Sequence, residues 1–331
     1  MAPATPPGPE RSDAAPVVIV NPIKSEHPEE LRRTLRTAAR EAGLPEPVFV
    51  ETTIEESGMS QARAALEAGS PLVIAAGGDG TVRAVATGMA DSGVPLGIIP
   101  LGTGNLLARN LDIPVDQLLQ CARTAFGGTE RPIDVGWLRM ETPDDDGGSA
   151  GALDNGEHAF LVIGGIGFDA EMIAGADHEL KRRLGWFAYF YAALTRLFER
   201  RMSVLVTIDD RRRSRPFRAR TVMVANCGRL PGNIVLAPSA RLDDGWLDVV
   251  VLDTRGGLVG WASLGVKVLA QRLGIRGKSD AASAIESRPA RSITIRATRP
   301  TRVQVDGELL GKATALHARV APAALLVRVA L

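Results

Sequence analysis

Apolar residues recur in two different rhythms along the chain, and the first runs from residue 17 to residue 126. Val17-Val18-Ile19-Val20 is a run of β-branched residues that ends at Asn21-Pro22, which predicts a buried strand stopped by a turn. From residue 29 to residue 42, leucines and alanines follow at helical spacing before Gly43. Further strands and helices are predicted in alternation at 47–52, 59–68, 72–76, 82–89, 96–99 and 115–126. This alternation predicts an α/β fold, with a mostly parallel sheet covered by helices on both faces.

The second rhythm consists of strand-like runs and begins near residue 133. Such runs cover residues 133–140, 158–163, 203–208, 219–226, 247–252, 292–296, 302–305 and 325–329. We therefore expect an α/β domain over residues 16–132, followed by a β-rich domain that begins near residue 133. The Pro- and Ala-rich residues 1–15 are expected to form a disordered tail.

Composition agrees with two soluble domains and argues against several classes of protein. A chain of 331 residues exceeds the size at which one hydrophobic core usually stops growing. With 39 basic against 38 acidic side chains, the net charge of +1 creates no field that attracts nucleic acid, so we expect no nucleic-acid partner. The N-terminus lacks the pattern of a signal peptide, and no stretch reaches the ~20 apolar residues of a membrane span. We expect a cytoplasmic protein that at most binds a membrane peripherally.

The strongest chemical signal is a pair of glycine-rich loops. Gly77-Gly78-Asp79-Gly80-Thr81 and Leu101-Gly102-Thr103-Gly104-Asn105 each stand between a predicted buried strand and a predicted helix. Glycines let the backbone bring its N–H groups to a phosphate, and the N-terminus of the following helix favours negative charge. A plain turn also favours Gly and Asp. Because both loops would lie at the carboxyl ends of parallel strands, where α/β sheets bind ligands, we interpret them as phosphate-binding loops.

These two loops, together with Asn21-Pro22 and Thr52, resemble the catalytic domain of the diacylglycerol kinase family of soluble bacterial lipid kinases. The resemblance continues at 165–170, 243–248 and 305–308 and covers nearly the whole chain after residue 16. It implies an ATP- and magnesium-dependent lipid kinase in which residues 16–132 bind the nucleotide and residues 133–311 form a β-sandwich-like, lipid-binding and catalytic domain. It also implies that the chain end, about 312–331, returns to complete the nucleotide-binding domain. The residues expected to bind ATP are Asn21, Lys24, Thr52, Gly77, Gly78, Gly80, Thr81, Gly102, Thr103, Gly104 and Asn105.

Phosphoryl transfer to a hydroxyl needs a carboxylate that takes the hydroxyl proton. Asp306 is our candidate for this base, with Glu308 as the partner that orients it, because the resemblance places the first carboxylate at the acceptor hydroxyl. If this segment is extended, alternation puts both carboxylates on one face with Gly307 between them. The alternative interpretation is a type I′ Asp-Gly hairpin turn. Asp79 is the third candidate catalytic residue, since we expect it to organise magnesium and phosphates.

Asp243 and Asp244 are candidate magnesium ligands in addition to the aspartate of the first glycine loop, since hard cations take oxygen ligands. A hairpin turn explains the same Asp-Asp-Gly sequence. Two positions depart from the family pattern. Arg83-Ala84 stands where the family usually has Asn-Glu, so a carboxylate is missing beside the nucleotide site. The turn after Asn21-Pro22 lacks the usual glycine, and its Lys24 either reaches phosphate or is solvated.

Two segments are candidates for contact with a membrane. Residues 181–201 contain six of the 14 aromatic side chains between basic residues at both ends, as in a peripheral helix that meets an anionic bilayer. A core helix packed on the sandwich is the alternative. Arg211-Arg212-Arg213 is the densest positive patch, either a membrane contact or a solvated hairpin end. We therefore expect a lipid substrate and an anionic membrane surface as partners, and we leave a homodimer open.

Other signals are weaker. Two functions stand as alternatives to a lipid kinase. One is a kinase of a soluble acceptor such as NAD, since NAD kinases share the Gly-Asp loop. The other is a nucleotide-binding regulator that has lost catalysis, which Arg83-Ala84 favours.

The histidines show no metal spacing and no partner nucleophile, so we expect exposed or capping positions for His27, His158, His178 and His317.

Overall fold

The structure of the protein is a computed structural model, and it describes residues 14–142, 153, 155–167, 202–209, 214–230, 234–235, 237–253 and 284–330. Several predictions fall outside these residues: most of the N-terminal tail, the aromatic segment 181–201, the basic run 211–213 and the position of His178. They stay predictions.

The N-terminal part alternates strands and helices as its apolar pattern predicts. Its elements are β1 (Val17–Val20), a 3₁₀ turn (Pro22–Lys24), α1 (Pro28–Glu41), β2 (Val48–Glu51), α2 (Met59–Glu67), β3 (Val73–Gly77), α3 (Asp79–Met89), β4 (Pro95–Pro100), α4 (Leu106–Asn110) and α5 (Leu118–Gly127). β1 pairs in parallel with β2 on one side and β3 on the other, and β3 pairs in parallel with β4. The chain runs outward from β1 to β2 and back past β1 to β3, so right-handed crossovers place α1 and α2 on opposite faces.

The rest of the chain is rich in strands. Its elements are β5 (Thr129–Glu141), β6 (Glu157–Phe160), β7 (Ile163–Ile166), β8 (Met202–Ile208), β9 (Arg215–Ala219), β10 (Thr221–Ala225), β11 (Arg229–Leu230), β12 (Ile234–Val235), β13 (Leu247–Asp253), β14 (Ala284–Ala290), β15 (Ser292–Val305) and β16 (Glu308–Val329). Strands β14, β13, β10, β7, β15 and β16 pair in this order, each antiparallel to its neighbour. The predicted fold class, a mostly parallel sheet with helices followed by a β-rich part, is confirmed.

Strand β16 connects the two parts of the sheet. Its residues 308–319 pair with β15, residues 315–329 pair with β5 on the other side, and Leu326 and Val327 pair in parallel with β4. The apolar pattern predicts strand only at residues 325–329, because residues 311–324 are rich in alanine, which has a low strand propensity. The end of the chain thus adds a strand to the N-terminal sheet, while the domain boundaries themselves stay a prediction.

The buried apolar side chains form two clusters. The first includes Leu31 and Leu35, one helical turn apart on α1, which pack towards the parallel sheet. The second includes Phe160, Val303 and Val305 of the antiparallel strands. Within the described ranges, no helix has the length and apolar character needed to cross a membrane. Because β1, β3 and β4 are parallel, their carboxyl ends lie at one edge of the sheet, and this edge carries both glycine loops.

Candidate active site

The first glycine loop turns the chain from β3 directly into α3. Gly77 ends the strand, Gly78 caps the helix, and the helix begins at Asp79. A Cβ on Gly77 would lie 2.6 Å from Thr81 Cβ, so a larger residue does not fit this turn. Val82 N–H donates to Gly78 O in the first helical hydrogen bond. The N–H groups before it have no partner within the helix, and backbone of this kind binds anions.

The second glycine loop lies directly against the first. A Cβ on Gly102 would be 2.7 Å from Gly78 Cα, so glycine is needed where the two backbones meet. Asn105 closes the second loop: its Oδ1 accepts from Gly102 N–H at 3.0 Å, and its Nδ2 donates to Gly102 O at 2.7 Å. Between them, Thr103 is exposed and Gly104 is buried. The structure therefore brings both predicted phosphate loops together.

Asp79 connects the two loops. Its Oδ2 accepts from Asn105 N–H at 2.9 Å, and its Oδ1 accepts from Leu106 N–H at 2.5 Å. Leu106 begins α4, so Asp79 satisfies amides at a helix N-terminus much as a capping residue does. Burial raises the pKa of Asp79, the amide donors lower it, and the charge of Asp306 raises it further. Two aspartates from distant parts of the chain are therefore close enough to interact.

The ends of β1 and β2 place polar side chains beside the first loop. Asn21 Nδ2 donates to Thr81 Oγ1 at 3.2 Å, and Asn21 Oδ1 accepts from Ile23 N–H at 3.1 Å. Thr52 is buried just past the end of β2. Lys24 is exposed in the 3₁₀ turn that follows β1. The structure thus places these predicted ATP-binding residues at the edge of the sheet that carries the glycine loops.

The other part of the site is the turn between β15 and β16. Asp306 and Gly307 have φ angles of +47° and +88°, as a two-residue type I′ hairpin turn requires. The expectation of an extended segment is therefore wrong, since Asp-Gly favours this turn. Asp306 Oδ2 accepts from Leu161 N–H at 2.8 Å. Its Oδ1 accepts from Val162 N–H and Ile163 N–H, each at 2.9 Å.

These hydrogen bonds bear on the base that the sequence suggested. Burial raises the pKa of Asp306, while the charge of Arg83 and the amide donors lower it. Backbone donors contact both carboxylate oxygens, so Asp306 holds the connection between β6 and β7 against the hairpin. The assignment of Asp306 as the base stays a prediction.

Glu308 begins β16 and reaches towards the first glycine loop. Its Oε2 lies 3.9 Å from the position of a Cβ on Gly80. Glu308 forms an ion pair with Arg83 of α3, in which the Glu308 side chain is 54% exposed and the Arg83 side chain 12% exposed. Glu308 is therefore an accessible carboxylate beside the first glycine loop, and a carboxylate of this kind can accept a proton.

The acidic residues predicted as metal ligands lie in two neighbourhoods. Asp243 Oδ2 is 2.7 Å from Arg131 Nη2. Burial raises the pKa of Asp244, and so do the charges of nearby aspartates, first among them Asp134. Besides burial, the charge of Asp306 in the hairpin turn instead raises the pKa of Asp79. Among the residues that the structure describes, no three His, Cys, Asp or Glu side chains are grouped to hold a metal ion.

Two side chains of the site were not predicted from the sequence. Arg83 appears there only as a departure from the family pattern. His158 was expected to be exposed or capping, and this is wrong: it is 2% exposed in β6. Burial, followed by the charge of Arg83, lowers its pKa to about 4, and its Nδ1 has no hydrogen-bond partner in the described part of the chain. The available signal was that His158 opens an apolar run, which itself predicts a buried strand.

Comparison with protein families matches both parts of the chain. Residues 15–138 match the diacylglycerol kinase catalytic domain, and residues 163–329 match the YegS C-terminal NAD kinase beta sandwich-like domain. The chain is 30% identical to a diacylglycerol kinase of Bacillus subtilis over 243 residues, which are 72% of each protein. It is 33% identical to a Pseudomonas aeruginosa protein named probable lipid kinase YegS-like over 252 residues, which are 75% of this chain and 76% of that one.

Two further comparisons concern length and fold. An uncharacterized protein of Synechocystis is 31% identical over 247 residues, which are 73% of this chain and 51% of that protein, so the chain spans about half the length of that relative. The crystal structure of a diacylglycerol kinase from Bacillus anthracis superimposes with a TM-score of 0.72 over 95% of this chain and 96% of that one. At 23% identity, this likeness shows a shared fold.

Proposed function

Since this chain belongs to the diacylglycerol kinase catalytic-domain family, we propose that it is an ATP- and magnesium-dependent lipid kinase that phosphorylates the hydroxyl of diacylglycerol or a related lipid. Family membership indicates a kinase, and the nucleotide, the metal and the acceptor are our proposal. One observation carries it: Asp79 joins two glycine loops beside the accessible carboxylate of Glu308. This arrangement supports a phosphate site with a proton acceptor beside it.

The glycine loops fit the phosphates of a nucleotide. Gly102 lies too close to the backbone of Gly78 to carry a side chain, and Gly80 is exposed at the start of α3. We propose that the N–H groups of this helical turn hold the phosphates together with Thr81 and Asn21. Bound ATP would supply the phosphoryl group, and magnesium would compensate the charge of the phosphates.

The donor set also fits magnesium. This ion is commonly held by one or two carboxylates together with the phosphates of a nucleotide, so it does not need a cluster built from protein side chains alone. We propose Asp79 as the carboxylate nearest to it. Asp243 and Asp244 are less suited to that role, because Asp243 is paired with Arg131 and the charges that act on Asp244 are those of other aspartates, first among them Asp134.

The hairpin side supplies the base. The acceptor hydroxyl oxygen forms a bond to phosphorus, the bond from phosphorus to the leaving diphosphate breaks, and the hydroxyl proton moves to Glu308. Asp306 keeps the hairpin in place through three backbone N–H groups. We assign the proton to Glu308 because its side chain is accessible, which exchanges the roles that the sequence suggested.

A lipid acceptor places the enzyme at a membrane surface. We propose peripheral binding to anionic bilayers through the basic run 211–213 and the aromatic segment 181–201, on composition alone, since both lie outside the described residues. Sedimentation with anionic vesicles should weaken as salt screens the charges, and also when the three arginines are changed to alanine. Equal sedimentation of both proteins at every salt concentration would contradict this surface.

The decisive experiment incubates γ-labelled ATP with a panel of acceptors: diacylglycerol, a ceramide and a polyprenol in mixed micelles, and NAD in solution. We expect the label in a lipid. Glu308→Gln should lower transfer by about 10²- to 10⁴-fold, the usual contribution of a general base. Glu46→Gln is the matched control, since it removes a surface carboxylate paired with Arg36. Label in NAD would favour the soluble-acceptor kinase, and nucleotide binding without any transfer would favour the regulator.

A further inference from the structure

Arg83 is a cation in an unusual position. It is the fifth residue of α3, which begins at Asp79. Side chains of a helix lean towards its N-terminus, so the guanidinium is directed back towards the first glycine loop. The helix dipole disfavours positive charge at this end. Nearby anions therefore stabilise a cation in this position.

Three neighbours show where the guanidinium lies. Glu308 pairs with it, and the charge of Arg83 lowers the pKa of both Asp306 and His158. Glu308 Oε2 is itself 3.9 Å from the Cβ position of Gly80. The guanidinium is therefore held between the hairpin turn and the backbone that we propose to bind phosphate.

An ordinary surface ion pair does not have this arrangement. In the Arg123–Glu41 pair, the two side chains are 58% and 44% exposed, and such pairs contribute little to stability. In the Arg83–Glu308 pair the arginine is largely buried while the carboxylate is half exposed. Glu308 is therefore the more accessible partner of the pair, while packing surrounds the guanidinium.

We infer that Arg83 binds the phosphoryl group to be transferred, and that it holds Glu308 over the glycine loop until that group arrives. A guanidinium presents several N–H donors in a planar fork, so it can contact a phosphate oxygen and a carboxylate together. A phosphate that shares the guanidinium weakens its hold on Glu308, which then accepts the hydroxyl proton. Arg83 then faces the negative charge on the oxygens of the transferred phosphoryl group while the bond to the leaving diphosphate breaks and the bond to the acceptor oxygen forms.

The departure from the family pattern makes this turn of α3 more positive, as binding of an anion there would require. Asn-Glu is replaced by Arg83-Ala84, so a cation is gained and a carboxylate lost at this turn of α3. Both changes favour an anionic ligand next to Gly80. The inference rests on the proposed function in naming that anion as the terminal phosphate of ATP.

The test compares the full-length protein with Arg83→Met, Arg83→Lys and Glu308→Gln. Calorimetric titration with magnesium and either ADP or a non-hydrolysable β,γ-imido ATP analogue measures what the terminal phosphate contributes to binding. Arg83→Met should lower the affinity for the analogue by about tenfold or more, because a charge-assisted hydrogen bond to the terminal phosphate is lost. The affinity for ADP should change little. Arg83→Lys should restore most of the difference between the affinities for the analogue and for ADP. Glu308→Gln should leave the affinity for the analogue unchanged or raise it. Arg123→Met is the control for loss of a paired arginine.

Lipid phosphorylation gives the second readout. In Arg83→Met, kcat should fall by about 100-fold, typical for loss of a donor that stabilises transition-state charge, with the KM for the lipid nearly unchanged. An unchanged ratio of analogue to ADP affinity in Arg83→Met would overturn the inference, even if the wild type phosphorylates lipid. If the wild type binds both nucleotides and labels no lipid, the proposed function fails while the affinity ratio still decides the role of Arg83. If no nucleotide binds, both are wrong.

Discussion

Each side of the candidate site contains a partly buried aspartate that accepts backbone N–H groups, but the two sides are assembled over very different lengths of chain. Asp79 accepts from Asn105 and Leu106, which are 26 and 27 residues away. Asp306 accepts from three residues that are 143 to 145 positions away. In both, burial raises the carboxyl pKa and amide donors lower it.

The difference follows from strand direction and pairing. β3 and β4 are parallel neighbours, so their carboxyl ends bring the two glycine loops together without a further device. The donors to Asp306 reach it only once β7 has paired with β15, which closes a long loop and costs chain entropy. We therefore expect the Asp79 side to keep its fold more easily than the Asp306 side when its carboxylate is removed.

The largest effect should come from Asp306→Asn. An amide cannot accept all three N–H bonds, so we expect unfolding free energy to fall by about 2–5 kcal/mol and turnover by about 10³-fold. Urea unfolding and labelled-ATP transfer measure the two effects. Asp134→Asn is the matched control: Asp134 is buried, and its carboxylate likewise accepts from backbone N–H groups, those of Gly245 and Ala323, at 2.7 and 2.8 Å. It should lose stability but keep normal turnover per folded molecule.

Asp79→Ala should separate activity from stability. We expect turnover to fall by about 10³-fold because the two phosphate loops lose their connection and the charge beside the phosphates is removed. The loss of unfolding free energy should be smaller than in Asp306→Asn, at about 1–2 kcal/mol, since the parallel strands still hold the loops together. A stability loss larger than that of Asp306→Asn would reverse the comparison between the two sides.

Gly102→Ala tests the contact between the loops themselves. The new Cβ would lie 2.7 Å from Gly78 Cα, so the two backbones must move apart. We expect affinity for ATP to fall by about tenfold, as one or two phosphate hydrogen bonds lose their geometry. Gly127→Ala is the control, because its Cβ would meet only Ala42 Cβ at 3.8 Å. Equal nucleotide affinity in both variants would show that the close approach has no role in binding.

The smallest effect concerns His158, which lies on the hairpin side. Its pKa is lowered to about 4, so between roughly pH 6.5 and pH 4 the unfolded chain binds a proton that the folded protein does not. Stability should therefore fall with decreasing pH in this window, by at most about 1.4 kcal/mol per pH unit from this group. His158→Gln should remove that part of the slope in urea unfolding, whereas His27→Gln should keep it. An unchanged slope in His158→Gln would show that another group causes the pH dependence.

Much of the Asp79 side, with its two glycine loops, could be predicted from the sequence because its elements depend on residues that are close together along the chain. The β-branched run at Val17–Val20, the helical spacing before Gly43 and the glycines after β3 and β4 each act within a few residues. Parallel strand order then places both loops at one edge. The fold class and the place of the two loops therefore followed from local pattern and topology, while the resemblance to lipid kinases came from motifs shared with that family.

The hairpin side was decided by tertiary structure. An Asp-Gly dipeptide predicts a turn as readily as a catalytic segment, and no local rule could show that Asp306 is occupied by amides of residues 161–163. Arg83 and Glu308 are 225 residues apart, so their ion pair arises only when β16 lies beside the glycine loop. The burial of His158 likewise depends on what packs over β6. Contacts that are distant in sequence follow from the arrangement of the whole sheet, whereas strands, helices and turns follow from neighbouring residues.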